Sequence, residues 1–157
     1  MDYICFHVYG TSPDALNAGG EITVENCMRL LRDKMEHIRA QGFGHLPVYI
    51  EEWGASCRGF SNIEDCAKLA FRENEIYSAF FVKWYTTILR EGYPIQKLMI
   101  CLSGQHEMEA DFTGFRNFFT LNFFQKPIYN AYILASKLHK NLLDVKIQNE
   151  NSIIKFI

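Results

Sequence analysis

The chain has 157 residues, 48% hydrophobic and 15% aromatic, enough for one core and one domain. Its formal net charge is -2 with both signs interspersed, which excludes a basic field for nucleic acid and an acidic or basic tail. No basic stretch leads into an apolar h-region at the N-terminus, and no apolar run approaches membrane-spanning length, so no membrane partner is expected.

Asp2–Tyr9 (DYICFHVY) reads as a strand. Ile4, Phe6 and Val8 form one face and Tyr3, Cys5, His7 and Tyr9 the other, both largely apolar, as in a strand covered on both sides. Gly10 ends it, and Thr11–Ile22 is a loop rich in turn residues. Thr23–Gln41 carries apolar residues at Val24, Cys27, Leu30, Leu31, Met35 and Ile38, which predicts a helix with Thr23 as N-cap and Gly42 and Gly44 as stops. Leu46–Trp53 is a second strand that runs apolar until it meets Glu51, Glu52 and Trp53. Asp65–Glu91 reads as one long helix closed by Gly92 and Pro94. Ile95–Leu102 is a third strand, followed by the polar cluster Ser103–Glu107 (SGQHE). The very aromatic Phe115–Phe124 is a short strand or a turn, and Pro127–His139 a last helix with Pro127 in its first turn. Leu142–Ile157 switches to short alternating segments that read as β structure of a different kind, which divides the chain into 1–141 and 142–157.

Cys5 and Cys101 lie in apolar strands and are expected to be buried thiols. Cys57 and Cys66 flank a loop and could be bridged if it folds back. No Cys or His spacing fits zinc, so no metal and no cofactor is expected; a reducing cytoplasm is the simplest compartment. His37 and His45 are away from strand ends and are expected to be exposed.

Repeated βα units argue for a parallel α/β sheet. All three strands carry polar residues at the same end: His7 and Tyr9, then Glu51, Glu52 and Trp53, then Gln105, His106 and Glu107. In a barrel or an open parallel sheet such ends converge on one pocket. Alternation along the strand predicts that Glu51 and Glu52 point in opposite directions, so at most one faces that pocket. A glutamate pair ending a strand is commonly just a solvated end. Trp53 beside it is a natural platform for a sugar ring. No phosphate-binding glycine loop and no G-x-S-x-G is present. Carboxylate, aromatic and histidine together suit carbohydrate chemistry. A retaining glycosidase needs two carboxyl groups roughly 5–5.5 Å apart, of which Glu52 can be one.

These motifs resemble glycoside hydrolase family 39, the β-xylosidase and α-iduronidase family. DYICFHVYG (Asp2–Gly10), with His7 and Tyr9, is similar to the family's sixth barrel strand. LPVYIEEWGAS (Leu46–Ser56) is similar to its seventh, with Glu51 in place of the usual Thr. The run from the third strand through FFTLNFFQKPIYNAYILASKL resembles the eighth strand and terminal helix. The resemblance implies the C-terminal portion, about strands 6–8, of a (β/α)8 barrel, followed by the start of a β-sandwich. It implies Glu52 as nucleophile, with His7, Tyr9, Trp53, Gln105, His106 and Glu107 as substrate-binding residues for a xyloside or related carbohydrate. Gln105 and His106 could instead merely satisfy their loop. Where the usual eighth strand carries Tyr-Trp and then Ser-Asp, the aligned residues here are Met99, Ile100, Ser103 and Gly104, so the Trp is absent, which weakens xylose specificity. The family's acid/base glutamate lies in an Asn-Glu-Pro motif that is absent here. The implied reading is a fragment whose partner is the missing N-terminal part of the barrel, inactive alone. A signal peptide would lie in that part. Two alternatives stand beside it: a non-catalytic carbohydrate-sensing module derived from such a barrel, and a small complete α/β protein of unrelated function.

Overall fold

The computed structural model describes residues 2–10, 21–56, 58, 61–101 and 106–138. Its elements are β1 (Ile4–Tyr9), α1 (Val24–Ala40), β2 (Val48–Gly54), a 3-10 helix (Ala67–Glu73), α2 (Glu75–Glu91), β3 (Ile95–Ile100) and α3 (Pro127–Ser136). The expected β segment at 142–157, the Cys57 end of the possible bridge, and Gln105 lie outside the described residues. No described helix is long and apolar enough to cross a membrane.

The three strands form one parallel sheet in the order β1-β2-β3. Local chemistry sets the helix ends. Thr23 caps α1 through Oγ1, which accepts from the Asn26 N–H at 3.2 Å. Gly92, with φ +67, ends α2 in the left-handed region. The single helix expected over Asp65–Glu91 is two elements. Asn74 has extended backbone, and its side chain accepts from the Ile76 N–H at 3.0 Å, capping a fresh start. The break lets Arg72 turn inward, where it donates to the carbonyls of Gly114 at 3.0 Å and Arg58 at 2.8 Å.

Strand register departs from simple alternation at the second strand. Phe6 pairs with Ile50, but His7 pairs with Glu52, which leaves Glu51 without a partner on β1. On the other side Ile50 pairs with Leu98 and Trp53 with Ile100, so two β2 residues oppose Met99 alone. β2 therefore contains a bulge at Glu51–Glu52. Ile50 and Trp53 both end up buried on the helix side. Glu51 hydrogen-bonds Cys5, and Glu52 bonds His7 and Tyr9, residues that share one face of β1. Both glutamates thus lie on the same face of the sheet, not on opposite faces.

The helices cover the other face. Cys27, Met28, Leu31 and Met35 of α1, Tyr77, Phe80, Phe81, Trp84 and Ile88 of α2, and Ile128 and Ala131 of α3 pack with Val8, Val48, Ile50, Trp53 and Ile100. Each fully buried large side chain contributes about 1.5–3 kcal/mol by leaving water. The glutamate-bearing face holds Tyr3 stacked on Tyr49 at 4.7 Å, Lys97 over Tyr49 at 4.9 Å, and the exposed Cys5 and Met99. Cys5 is therefore not the buried thiol expected from its apolar neighbours, because it belongs to this open face; Cys101 is buried. His37 and His45 are exposed.

Apolar grooves flank both outer strands. One of about 390 Å³ runs beside β3, lined by Tyr85, Ile88, Tyr93, Ile95, Leu98 and Tyr132 among others. One of about 370 Å³ runs beside β1, where Ile4 and Phe6 meet Lys34 and Ile38 of α1.

Candidate active site

At the C-terminal end of the sheet the two neighbouring strands bring three expected residues together. Tyr9, the last residue of β1, donates its phenolic hydrogen to Oε2 of Glu52. His7 Nδ1 lies 3.3 Å from the same oxygen. These contacts follow from the bulge, which sets Glu52 opposite His7 and Gly54 opposite Tyr9. The Glu52 and His7 side chains are 38% and 50% exposed, so the carboxylate is both held and reachable.

Cys101, just beyond β3, places its thiol in hydrogen-bonding reach of both Tyr9 and Glu52. Arg116, from the loop before α3, stacks its guanidinium over the Tyr9 ring at 4.8 Å and donates from Nη1 to the Ser56 carbonyl at 3.3 Å. Gly54 makes the room: a Cβ there would lie 3.0 Å from Arg116 Nη1. The Tyr9 hydrogen bond holds the Glu52 carboxyl below the usual carboxylate range; Cys101, His7 and Arg116 add to this against the cost of burial. Burial, then the bond to Glu52, pushes the Tyr9 phenol up. The result is a partly exposed carboxylate kept ionised and oriented.

Trp53 and Glu107 do not join this site. Trp53 is fully buried, stacked with Phe80 and Phe81 and tilted against Tyr77 and Trp84, with its indole N–H donated to the Tyr132 hydroxyl. The bulge turns it to the helix side, so the expected sugar platform is a core residue. Glu107 is also buried. Its carboxylate accepts from the backbone N–H groups of Phe112 and Thr113 and from Lys126 Nζ at 2.6 Å. Both of its oxygens are engaged, which leaves none for a sugar. His106 is exposed; its Nδ1 is 2.6 Å from the Glu107 carbonyl and its ring 5.0 Å from Phe123, so its contacts stay in its own loop.

The loop from His106 to Lys126 is mounted on a buried ion triad that sequence reading missed. Lys126, without exposure, bonds Glu107, Glu73 at 2.7 Å and the Phe115 carbonyl at 3.0 Å. Glu73 also accepts from the Gly114 N–H at 2.6 Å. Burial raises the Glu73 carboxyl, with Lys126 opposing. Among the described residues no group of three or more His, Cys, Asp or Glu is placed to hold a metal ion.

Neither a protein-family model nor a curated protein matches the sequence. Solved structures do resemble the fold. A monomeric β-xylosidase from Caulobacter crescentus CB15 superposes with a TM-score of 0.65 at 17% identity, over 88% of this chain and 28% of that one. A family 39 β-xylosidase from Caulobacter crescentus gives a TM-score of 0.59 at 20% identity, over 88% of this chain and 27% of that one. The chain therefore has a fold like that of family 39 glycoside hydrolases and spans little more than a quarter of their length.

Proposed function

We propose that the chain forms about strands 6–8 of a (β/α)8 barrel, and that it supplies the nucleophile, Glu52, of a retaining β-xylosidase-like glycoside hydrolase. The observation that carries this reading is the Tyr9–Glu52–His7 constellation at the C-terminal end of a parallel sheet, the end where such barrels do chemistry. The apolar grooves along β1 and β3 support it, because a closed barrel continues past both outer strands.

In this mechanism the ionised Glu52 attacks the anomeric carbon and the leaving oxygen departs with a proton from a second carboxylic acid. Water then attacks the glycosyl-enzyme, giving its proton to that second carboxyl group, now a carboxylate, and frees Glu52. Tyr9 fixes the attacking carboxylate, and His7, half exposed beside it, faces the sugar. With Glu107 locked in its ion triad, the proton donor comes from an earlier part of the barrel. The intact polypeptide carrying these residues then hydrolyses an aryl β-xyloside with retention, and Glu52→Gln abolishes this. The 157 residues alone give no turnover. Turnover by the 157 residues that is lost in Glu52→Gln contradicts this division of the site, and inverted product from the intact polypeptide contradicts the nucleophile.

The engagement of Glu107 also favours a second reading, a module that binds carbohydrate without cleaving it. An upstream strand ending in Asn-Glu-Pro supports the enzyme; a DNA-binding region without such a glutamate supports the sensor.

A further inference from the structure

We propose that Arg116 is the positioning residue of this site: its guanidinium fixes the Tyr9 ring where the Tyr9 hydroxyl holds Glu52, and the Glu73–Lys126–Glu107 triad is the mount that keeps Arg116 there. This rests on the reading of Glu52 as the working carboxylate and deepens it.

Arg116 is 3% exposed, an expensive place for a cation. Its guanidinium gains two things there: the face of the Tyr9 ring at 4.8 Å and the Ser56 carbonyl at 3.3 Å. A desolvated cation is attracted to the electron-rich face of a tyrosine ring. A planar guanidinium both stacks and donates at its edge, which an ammonium does not. The backbone just before Arg116 is held at three successive residues. Thr113 N–H donates to Glu107, Gly114 N–H to Glu73, and the Phe115 carbonyl accepts from Lys126. All three partners belong to the one ion triad, which explains why so costly a group lies behind a loop. The missing side chain of Gly54 is the complementary feature on β2, since a Cβ there would lie 3.2 Å from Arg116 Cδ.

The charged and titratable groups facing Glu52 are His7 and Tyr9 from β1, Cys101 after β3, and Arg116 from the loop; Glu51 shares its strand. The test is the titration midpoint of the Glu52 carboxyl, read by carbon-13 NMR on the 157-residue chain, with near-UV circular dichroism as a check on the fold. This readout requires no sugar and no turnover, so it can fail while the glycosidase reading stands, and the reverse. Tyr9→Phe sets the scale by removing the hydroxyl. Arg116→Gln is expected to raise the midpoint by at least as much as Tyr9→Phe, because the Arg116 charge also lowers the Glu52 carboxyl directly, and the double variant is expected to match Arg116→Gln rather than sum the two single shifts. Arg116→Lys, which keeps the charge but not the plane, is expected to raise it too. Where Arg116→Gln does not fold, Gly54→Ala displaces the guanidinium without removing it and is expected to shift the midpoint the same way. A midpoint unchanged in Arg116→Gln or Gly54→Ala while Tyr9→Phe moves it, or wild-type behaviour in Arg116→Lys, overturns the proposal.

Discussion

Tyr9 and Glu52 are 43 residues apart in sequence and joined by one hydrogen bond, from the phenol to Oε2. That bond is the main reason the Glu52 carboxyl is held below the ordinary carboxylate range. The sign follows from linkage. A carboxyl depressed in the folded state contributes stability above its unfolded value, about 4.3, and loses it as pH falls through the folded value. The stability gap between wild type and Tyr9→Phe is therefore expected to be wider at about pH 7 than at about pH 3. Urea unfolding at the two pH values reads it; a gap that widens in acid contradicts the assignment.

Trp53 tests core against platform. Trp53→Ala is expected to cost about 3–5 kcal/mol in denaturant unfolding, through lost burial and an unfilled cavity. Trp53→Phe keeps most of the ring packing but strands the Tyr132 hydroxyl, at about 1–3 kcal/mol. A Trp53→Ala protein of wild-type stability would contradict the buried placement.

The ion triad makes two substitutions behave oppositely. Lys126→Met leaves Glu73 and Glu107 facing one another without a counter-ion and is expected to cost about 3–5 kcal/mol. Glu73→Gln keeps an acceptor for the Gly114 N–H and leaves Lys126 and Glu107 as a matched pair. Because burial already disfavours the charged form of Glu73, this variant is expected to lie within about 0.5 kcal/mol of wild type or above it. Thermal melts of the two at neutral pH check the contrast.

Deleting Glu51 is expected to be tolerated. The remaining order Ile50, Glu52, Trp53 then alternates without a bulge, with Glu52 still on the open face and Trp53 still in the core. Melting within a few degrees of wild type, with unshifted Trp fluorescence, is the expected outcome; a red-shifted spectrum would contradict this register by showing that Trp53 leaves the core once the extra residue is gone.

The three strands, α1 and α3 were legible because each is a local apolar pattern with punctuation at its ends. The C-terminal clustering of His7, Tyr9 and Glu52 was legible because strand direction in a βα chain fixes which ends converge. The bulge was not, since one extra residue leaves no mark on composition and inverts every inference from period two; this is why Glu51 and Glu52 were expected on opposite faces and Trp53 was expected beside the sugar rather than in the core. The break at Asn74 carried a signal, an asparagine inside an apolar helical pattern, that the long periodicity outweighed. Glu73 and the fate of Glu107 depend on pairing with Lys126 across 53 and 19 residues, and Arg116 on a carbonyl 60 residues away, which no local pattern encodes.

The most direct test of Glu52 as nucleophile is covalent trapping. An activated 2-deoxy-2-fluoro-β-xyloside slows both chemical steps but supplies a good leaving group, so a retaining nucleophile accumulates as its glycosyl ester. Incubated with the intact polypeptide carrying these residues and mapped by peptide mass spectrometry, the label is expected on Glu52 and to be absent in Glu52→Gln. A label on Glu51, Glu107 or any other residue, or no label in a preparation that turns over aryl xylosides, would contradict the account.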